Sequence, residues 1–104
     1  MMSFVLHPRV VPRVSEIEKS GGHCSDFDWI LERLRFGRDI PERFNDHALT
    51  GKLRGLRSVI VGHDAEGRTV VMVYQLINRR VTVAFVDEHD QAYRALTLER
   101  TPRR

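Results

Sequence analysis

Apolar residues recur along this chain at two different spacings, and the change from one to the other separates a helical first third from a stranded remainder. Phe27, Ile30, Leu31 and Leu34 fall at i, i+3, i+4 and i+7, which places them on one face of a helix beginning at Ser25 or Asp26. Asp28 sits in its first turn and Gly37 closes it. Upstream, Pro12 suits the first turn of a helix that Val14 and Ile17 continue to Ser20, and Gly21-Gly22 ends it. Trp29 lies off the apolar stripe and either covers a helix edge or faces a partner.

From Leu56 the period falls to two. Arg57, Val59, Val61 and His63 share one face of a strand, and Leu56, Ser58 and Ile60 share the other. Asp64 to Gly67 reads as a hairpin loop, with Gly67 where positive φ is tolerated. Thr69 to Ile77 is apolar on both faces, the mark of a central strand, and Asn78-Arg79 turns the chain into a last long strand, Val81 to Val86. Ser3 to Leu6, stopped by Pro8, is a short strand that joins the same sheet. Two hairpins make a meander and both helices precede it. The fold class is therefore α+β, an N-terminal helix hairpin packed on one face of a small, mainly antiparallel β-sheet. Gly37 to Gly55 lacks a period and reads as loop, with at most one helical turn around Pro41 to Phe44. The segment from Gln91 allows a short helix through Tyr93 and Leu96, and the tail, about 99–104, is expected to be mobile.

The 104 residues make one domain's worth of chain, so a single domain over 1–104 is expected, with 41% hydrophobic and 30% charged residues, an ordinary globular balance. No apolar run approaches the ~20 residues that span a bilayer, and the start lacks the basic flank of a signal peptide, which points to the cytoplasm and away from a membrane. The single cysteine, Cys24, excludes an internal disulfide framework and an ordinary structural zinc site. No two histidines stand at a ligand spacing, so no metal and no cofactor is expected. The net charge is +3, and because Asp87, Glu88 and Asp90 are gathered in one place the rest of the surface is more basic than that figure.

The most distinctive stretch runs from Pro41 to Tyr74. Gly51 and Gly55 break any helix there and interleave with Lys52, Arg54 and Arg57, shortly after His47. A glycine-bearing loop that brings cations and an imidazole together suits a phosphodiester better than an acyl group or a metal. Nucleic acid is the partner class this stretch suggests.

The helices first, then Asp46-His47-Ala48-Leu49, Gly51, Gly55-Leu56-Arg57, Val73-Tyr74-Gln75 on the central strand, and His89 followed four residues later by Tyr93, resemble the RelE/ParE toxin superfamily, in particular its YafQ-like branch. The resemblance covers about Pro41 to Tyr93, with Asp46 to Arg57 its most specific part. It implies a RelE-like, microbial ribonuclease-type fold and the toxin of a type II toxin–antitoxin system, a metal-independent endoribonuclease that cuts mRNA on the ribosome and is silenced by a cognate antitoxin. It places a loop histidine at His47, a phosphate-binding arginine at Arg57, a C-terminal histidine at His89 and a final aromatic at Tyr93. Two positions depart from the pattern: Ile60 stands where a second histidine is usual, and Phe85 where an arginine is usual. The nearest substitutes are His63 with Asp64, and the cations Arg79 and Arg80.

Metal-free RNA cleavage needs a base for the 2′-hydroxyl proton, an acid for the departing 5′-oxygen and cations around the phosphorus. On the resemblance, His89 is the acid and His47 the base, with Tyr93 able to stack beside His89 and Arg57 clamping phosphate. Carboxylates at Asp87 and Glu88 would favour the cationic imidazole that an acid requires. Each residue has a plainer alternative: His47 hydrogen-bonding loop backbone, Arg57 pairing with a carboxylate, His63 closing a hairpin, Lys52 and Arg54 solvated on a loop. The competing function is a ParE-like toxin that acts by binding a protein such as gyrase, a reading that Ile60 and Phe85 favour.

Overall fold

The computed structural model describes residues 1–102; Arg103 and Arg104, the last residues of the expected mobile tail, lie outside the described residues. Strand β1 (Ser3–Leu6) is followed by α1 (Val10–Lys19), α2 (Phe27–Arg35), a two-residue strand β2 (His47–Ala48), the long strands β3 (Arg57–His63), β4 (Thr69–Ile77) and β5 (Arg80–Glu88), and α3 (His89–Glu99). The sheet order is β1-β5-β4-β3-β2, with β1 parallel to β5 and every other pair antiparallel. The chain is α+β, as its pattern predicts.

Helix α1 starts two residues earlier than Pro12 suggests, because Val10 is fully buried and the missing N–H of Pro12 falls in the first turn, where helix donors have no partner in any case. Helix α2 ends as a Schellman turn: Gly37 N–H donates to the Leu34 carbonyl at 3.1 Å and Arg38 N–H to the Arg33 carbonyl at 2.9 Å. Its predicted stripe is the buried face, with Phe27, Ile30 and Leu34 in the core and Leu31 at the margin. Trp29 covers the helix edge, its ring 5.5 Å from that of Phe44 and under the Arg33 guanidinium.

Two apolar layers enclose the sheet. On one face α1 and α2 pack against Val59, Val61, Val70, Met72, Tyr74 and Val83. On the other, Ala92 and Leu96 of α3 pack on Val71 and Val73 with Leu49, Leu53 and Leu56. The tail thus forms an 11-residue helix that closes the second face, longer than the short helix its sequence allows. Bulges at Val61 in β3 and Ala84 in β5 each insert one extra residue, so faces alternate correctly only when these residues are skipped.

The segment Gly37 to Gly55 holds more structure than its lack of period predicts: 3-10 turns at Glu42–Phe44 and Gly51–Leu53, and β2 between them. Two residues of strand cannot announce themselves by period; their pairing with β3 is a tertiary contact. Asn78 and Arg79, both with positive φ (51° and 62°), make the two-residue hairpin turn between β4 and β5. At Gly62 the backbone passes so close to the chain before α2 that an added Cβ would stand 1.7 Å from the His23 carbonyl oxygen. His23 and His63 exchange backbone hydrogen bonds there, at 2.8 and 2.9 Å, which covers the open edge of β3.

Candidate functional site

A cleft of about 450 Å³ opens on the α3 face of the sheet, where the β3–β4 hairpin meets the junction of β5 and α3. Ile60, Val71 and Ser58 form its floor, Asn45 and His47 one wall, Gly67, Arg68 and Thr69 a second, and Glu88, His89 and Asp90 a third. The two histidines lie 42 positions apart in the chain; β2 pairing with β3 places the first on one side of the cleft floor, with β3 and β4 between it and the end of β5, where the second begins α3.

Each imidazole is held by one nitrogen. His47 Nδ1 lies 2.7 Å from the Asn45 carbonyl oxygen, across a turn that Asn45 makes with φ 50°. A carbonyl only accepts, so Nδ1 carries the hydrogen and the neutral ring has its lone pair on Nε2. His89 Nδ1 lies 2.9 Å from Asp90 Oδ1, which again places a hydrogen on Nδ1 and makes an ion pair when the ring is cationic. Its Nε2 is the nitrogen left for proton transfer. The His89 ring packs on Tyr93, centroids 4.2 Å apart and planes inclined at 38°. The Tyr93 hydroxyl is buried without a hydrogen-bond partner among the described residues.

Asp87 and Glu88 do not act on His89 as their sequence positions suggest. Asp87 is taken up by α1, accepting from Arg13 at 2.9 Å. Glu88 is buried and caps α3, accepting the Asp90 N–H at 2.7 Å. The carboxylate beside His89 is that of Asp90.

Arg57 takes the plainer of its two roles. Its register partners put it on the α1–α2 face, away from the cleft, where Nε and Nη2 each stand 3.4 Å from the Asp46 carboxylate. Tyr74 donates to the same carboxylate at 2.6 Å. Burial alone would lower the Arg57 pKa, but hydrogen bonds to Tyr74 and Asp46 outweigh it and the net shift is upward. Burial, followed by the bond to Asp46, pushes the Tyr74 phenol upward as well.

The remaining predicted residues scatter. Lys52 and Arg54 are exposed near the end of α3, where their backbone carbonyls accept from Arg100 and Lys52 Nζ reaches Thr101. His63 ends β3 and closes the hairpin without lining the cleft. Arg79 and Arg80 lie at the opposite end of β4, roughly 26 Å away along a nine-residue strand. Ile60 is floor, and Phe85 lies under the Arg9 guanidinium, 4.5 Å from its ring centre. Sequence reasoning passed over Arg68, and it set Glu88 beside the His89 imidazole rather than on the α3 N-terminus that it caps. The signal for Arg68 was the spacing Asp64 to Arg68 across a predicted hairpin, which lets a carboxylate at the start of the loop hold a guanidinium at its end. Among the described residues no group of three or more His, Cys, Asp or Glu side chains is placed to hold a metal, and no helix is long and apolar enough to cross a membrane.

The helix hairpin on one face of an antiparallel meander and the closing helix on the other make a fold that this chain shares with solved structures of YafQ and of Helicobacter pylori toxins. YafQ from Escherichia coli superposes with a TM-score of 0.73 over 89% of this chain and 99% of that one, at 14% identity. A copper-bound mutant toxin from Helicobacter pylori gives 0.72 over 88% and 98%, at 20% identity. The toxin of the E. coli DinJ-YafQ toxin–antitoxin complex gives 0.70 over 88% and 97%, at 16% identity. No protein-family model matches the chain, and no curated protein matches it in sequence.

Proposed function

We propose that this protein is the toxin of a type II toxin–antitoxin pair and cuts mRNA on the ribosome without a metal, with His47 as general base and His89 as general acid. One observation carries the reading. Two histidines from distant parts of the chain line one cleft, each with Nδ1 fixed and Nε2 left for proton transfer. The likeness in fold to YafQ, alone and in its complex with DinJ, supports the toxin assignment and the expectation of a cognate antitoxin.

The chemistry follows from the free nitrogens. His47 Nε2 takes the 2′-hydroxyl proton, the 2′-oxygen attacks phosphorus, and His89 Nε2 delivers its proton to the departing 5′-oxygen, leaving a 2′,3′-cyclic phosphate and a 5′-hydroxyl. Asp90 accepts from His89 Nδ1 and so aims Nε2 into the cleft, and Tyr93 fixes the ring's plane. A positioned acid or base contributes ~10² to 10⁴-fold.

Single-turnover cleavage on programmed ribosomes tests the assignment: His89→Gln and His47→Gln should each slow cleavage by ~10² or more while ribosome binding is kept. A His89→Gln protein that cuts at the parent rate moves the acid elsewhere. The protein-binding alternative draws support from the cleft's two carboxylates, Glu88 and Asp90, and from Arg57 lying outside it. Pulse labelling after expression without antitoxin separates the two. Translation should fail first; thymidine incorporation failing first, with mRNA intact, would establish the gyrase-type reading instead.

A further inference from the structure

With Arg57 on the opposite face of the sheet, the cleft needs another cation if it is to hold a phosphodiester, and among its lining residues Arg68 is the only arginine or lysine. Its placement is built rather than incidental. Asp64 Oδ1 accepts the backbone N–H groups of Glu66 and Arg68 at 3.0 and 2.9 Å, which fixes the hairpin loop, and Asp64 Oδ2 accepts Arg68 Nε at 2.9 Å. Glu66 stands 3.5 Å from Nη2. The guanidinium is thus held along its Nε edge, and Nη1 has no hydrogen-bond partner among the described residues. A planar fork tethered on one side and free on the other is pre-organised to donate to an oxyanion. The side chain is 54% exposed, so a ligand can reach it.

We propose that Arg68 is the phosphate-contacting cation of this cleft, in place of Arg57, and that its ligand is the phosphodiester of a single-stranded RNA. Glu88 and Asp90 are compatible with that ligand because each carboxylate is already engaged, Glu88 on the helix N-terminus and Asp90 on His89. The negative phosphate therefore sits on the Arg68 side of the cleft, between the hairpin and the two imidazoles.

The inference rests on the nuclease reading for its catalytic meaning, but its binding claim is measured separately. The probe is a short single-stranded RNA 2′-O-methylated at each position, which keeps the ribose phosphodiester backbone and cannot be cut because its 2′-oxygens carry no proton to lose. Titrated into the ¹⁵N-labelled full chain, it should shift the Arg68 Nε resonance. Arg68→Ala should weaken its binding about tenfold or more, as expected for one charge-assisted contact, and Arg68→Lys should restore only part because an ammonium lacks the fork. Arg57→Ala should bind within about twofold of the parent, since diffuse surface charge is worth little. Parent-like binding by Arg68→Ala, a larger loss in Arg57→Ala, or no binding by the parent would each overturn the assignment. Binding through Arg68 with no cleavage on ribosomes would leave it standing and remove the nuclease reading alone.

Discussion

The Tyr74 hydroxyl donates a 2.6 Å hydrogen bond to the Asp46 carboxylate, joining the central strand to the turn that carries His47. Asp46 and His47 are consecutive, and β2 pairing sends His47 to the α3 face with Ser58 while Asp46 reaches the layer beneath α1 and α2. The sheet is therefore clasped from both sides at this point. Tyr74→Phe should lower stability by about 1.5 kcal/mol, the low end for a hydrogen bond to a charged group, because Arg57 still holds Asp46. Urea unfolding with unchanged m and a lower midpoint would show it; an unchanged midpoint would mean that water replaces the phenol without loss.

The same contact makes the protein sensitive to alkali. The Tyr74 pKa is raised in the folded chain, first by burial and then by Asp46, above its ordinary value of ~10. The stabilisation is fully present below pH ~10 and is lost as pH rises toward the folded value, because the unfolded phenol gives up its proton first. Absorbance titration at alkaline pH should show one tyrosine ionising only as the protein unfolds. Ionisation of both tyrosines with the fold intact would refute the buried donor.

Acid should act at the far end of the molecule. Arg9 donates from Nε to the Ala84 carbonyl at 2.8 Å and grips Glu99 with both terminal nitrogens, tying the start of α1 and the β5 bulge to the end of α3. The hydrogen bond to Arg9 lowers the Glu99 pKa below its ordinary ~4.5, against a smaller opposing effect of burial. That contribution is present above pH ~4.5 and is lost as pH falls through the folded value. The difference in Tm between parent and Glu99→Gln should be positive at pH 7 and shrink as the pH falls below ~4.5 and through the lowered folded value. A difference independent of pH would show that packing, not the ion pair, holds α3.

How much of this was legible in the chain varied with what each residue had to announce. Strand β4 matches its predicted bounds because it is buried on both faces and reads as an unbroken apolar run. The length of α3 was less clear because only Ala92 and Leu96 are fully buried on it. The face of Arg57 was already in the pattern: it alternates with Val59 and Val61, the residues beneath α1 and α2, so a role in a cleft floored by Ser58 and Ile60 conflicted with its own strand. Arg68 was hidden for another reason. Its position depends on hairpin closure by Asp64, a contact that no local period displays.

Gly62 tests the covered edge of β3. A methyl group there meets backbone, the His23 carbonyl, rather than a side chain that can move aside. Gly62→Ala should cost more than ~3 kcal/mol, the range of severe overpacking, whereas Gly67→Ala, with open space around it but φ +79°, should cost about 1 kcal/mol. Similar midpoints for the two variants in chemical denaturation would show that the segment before α2 detaches readily.

Arg57 and Arg79 separate position from charge. Arg57 lies in β3 and holds Asp46 beside His47, while Arg79 occupies a hairpin turn at the other end of β4. Losing Arg57 removes a partly exposed pair worth about 1 kcal/mol and loosens the turn that fixes the His47 ring. On the nuclease reading, Arg57→Ala should therefore lower Tm and the single-turnover rate while leaving RNA binding near the parent value, and Arg79→Ala should change none of the three. The His47 resonances provide the readout that mere loss of charge would not move: Nδ1–H exchange with solvent should quicken in Arg57→Ala and stay unchanged in Arg79→Ala. Equal losses of rate in the two variants, with His47 exchange unaltered, would mean that these cations act only as a diffuse field and that the Asp46 clasp does not position the base.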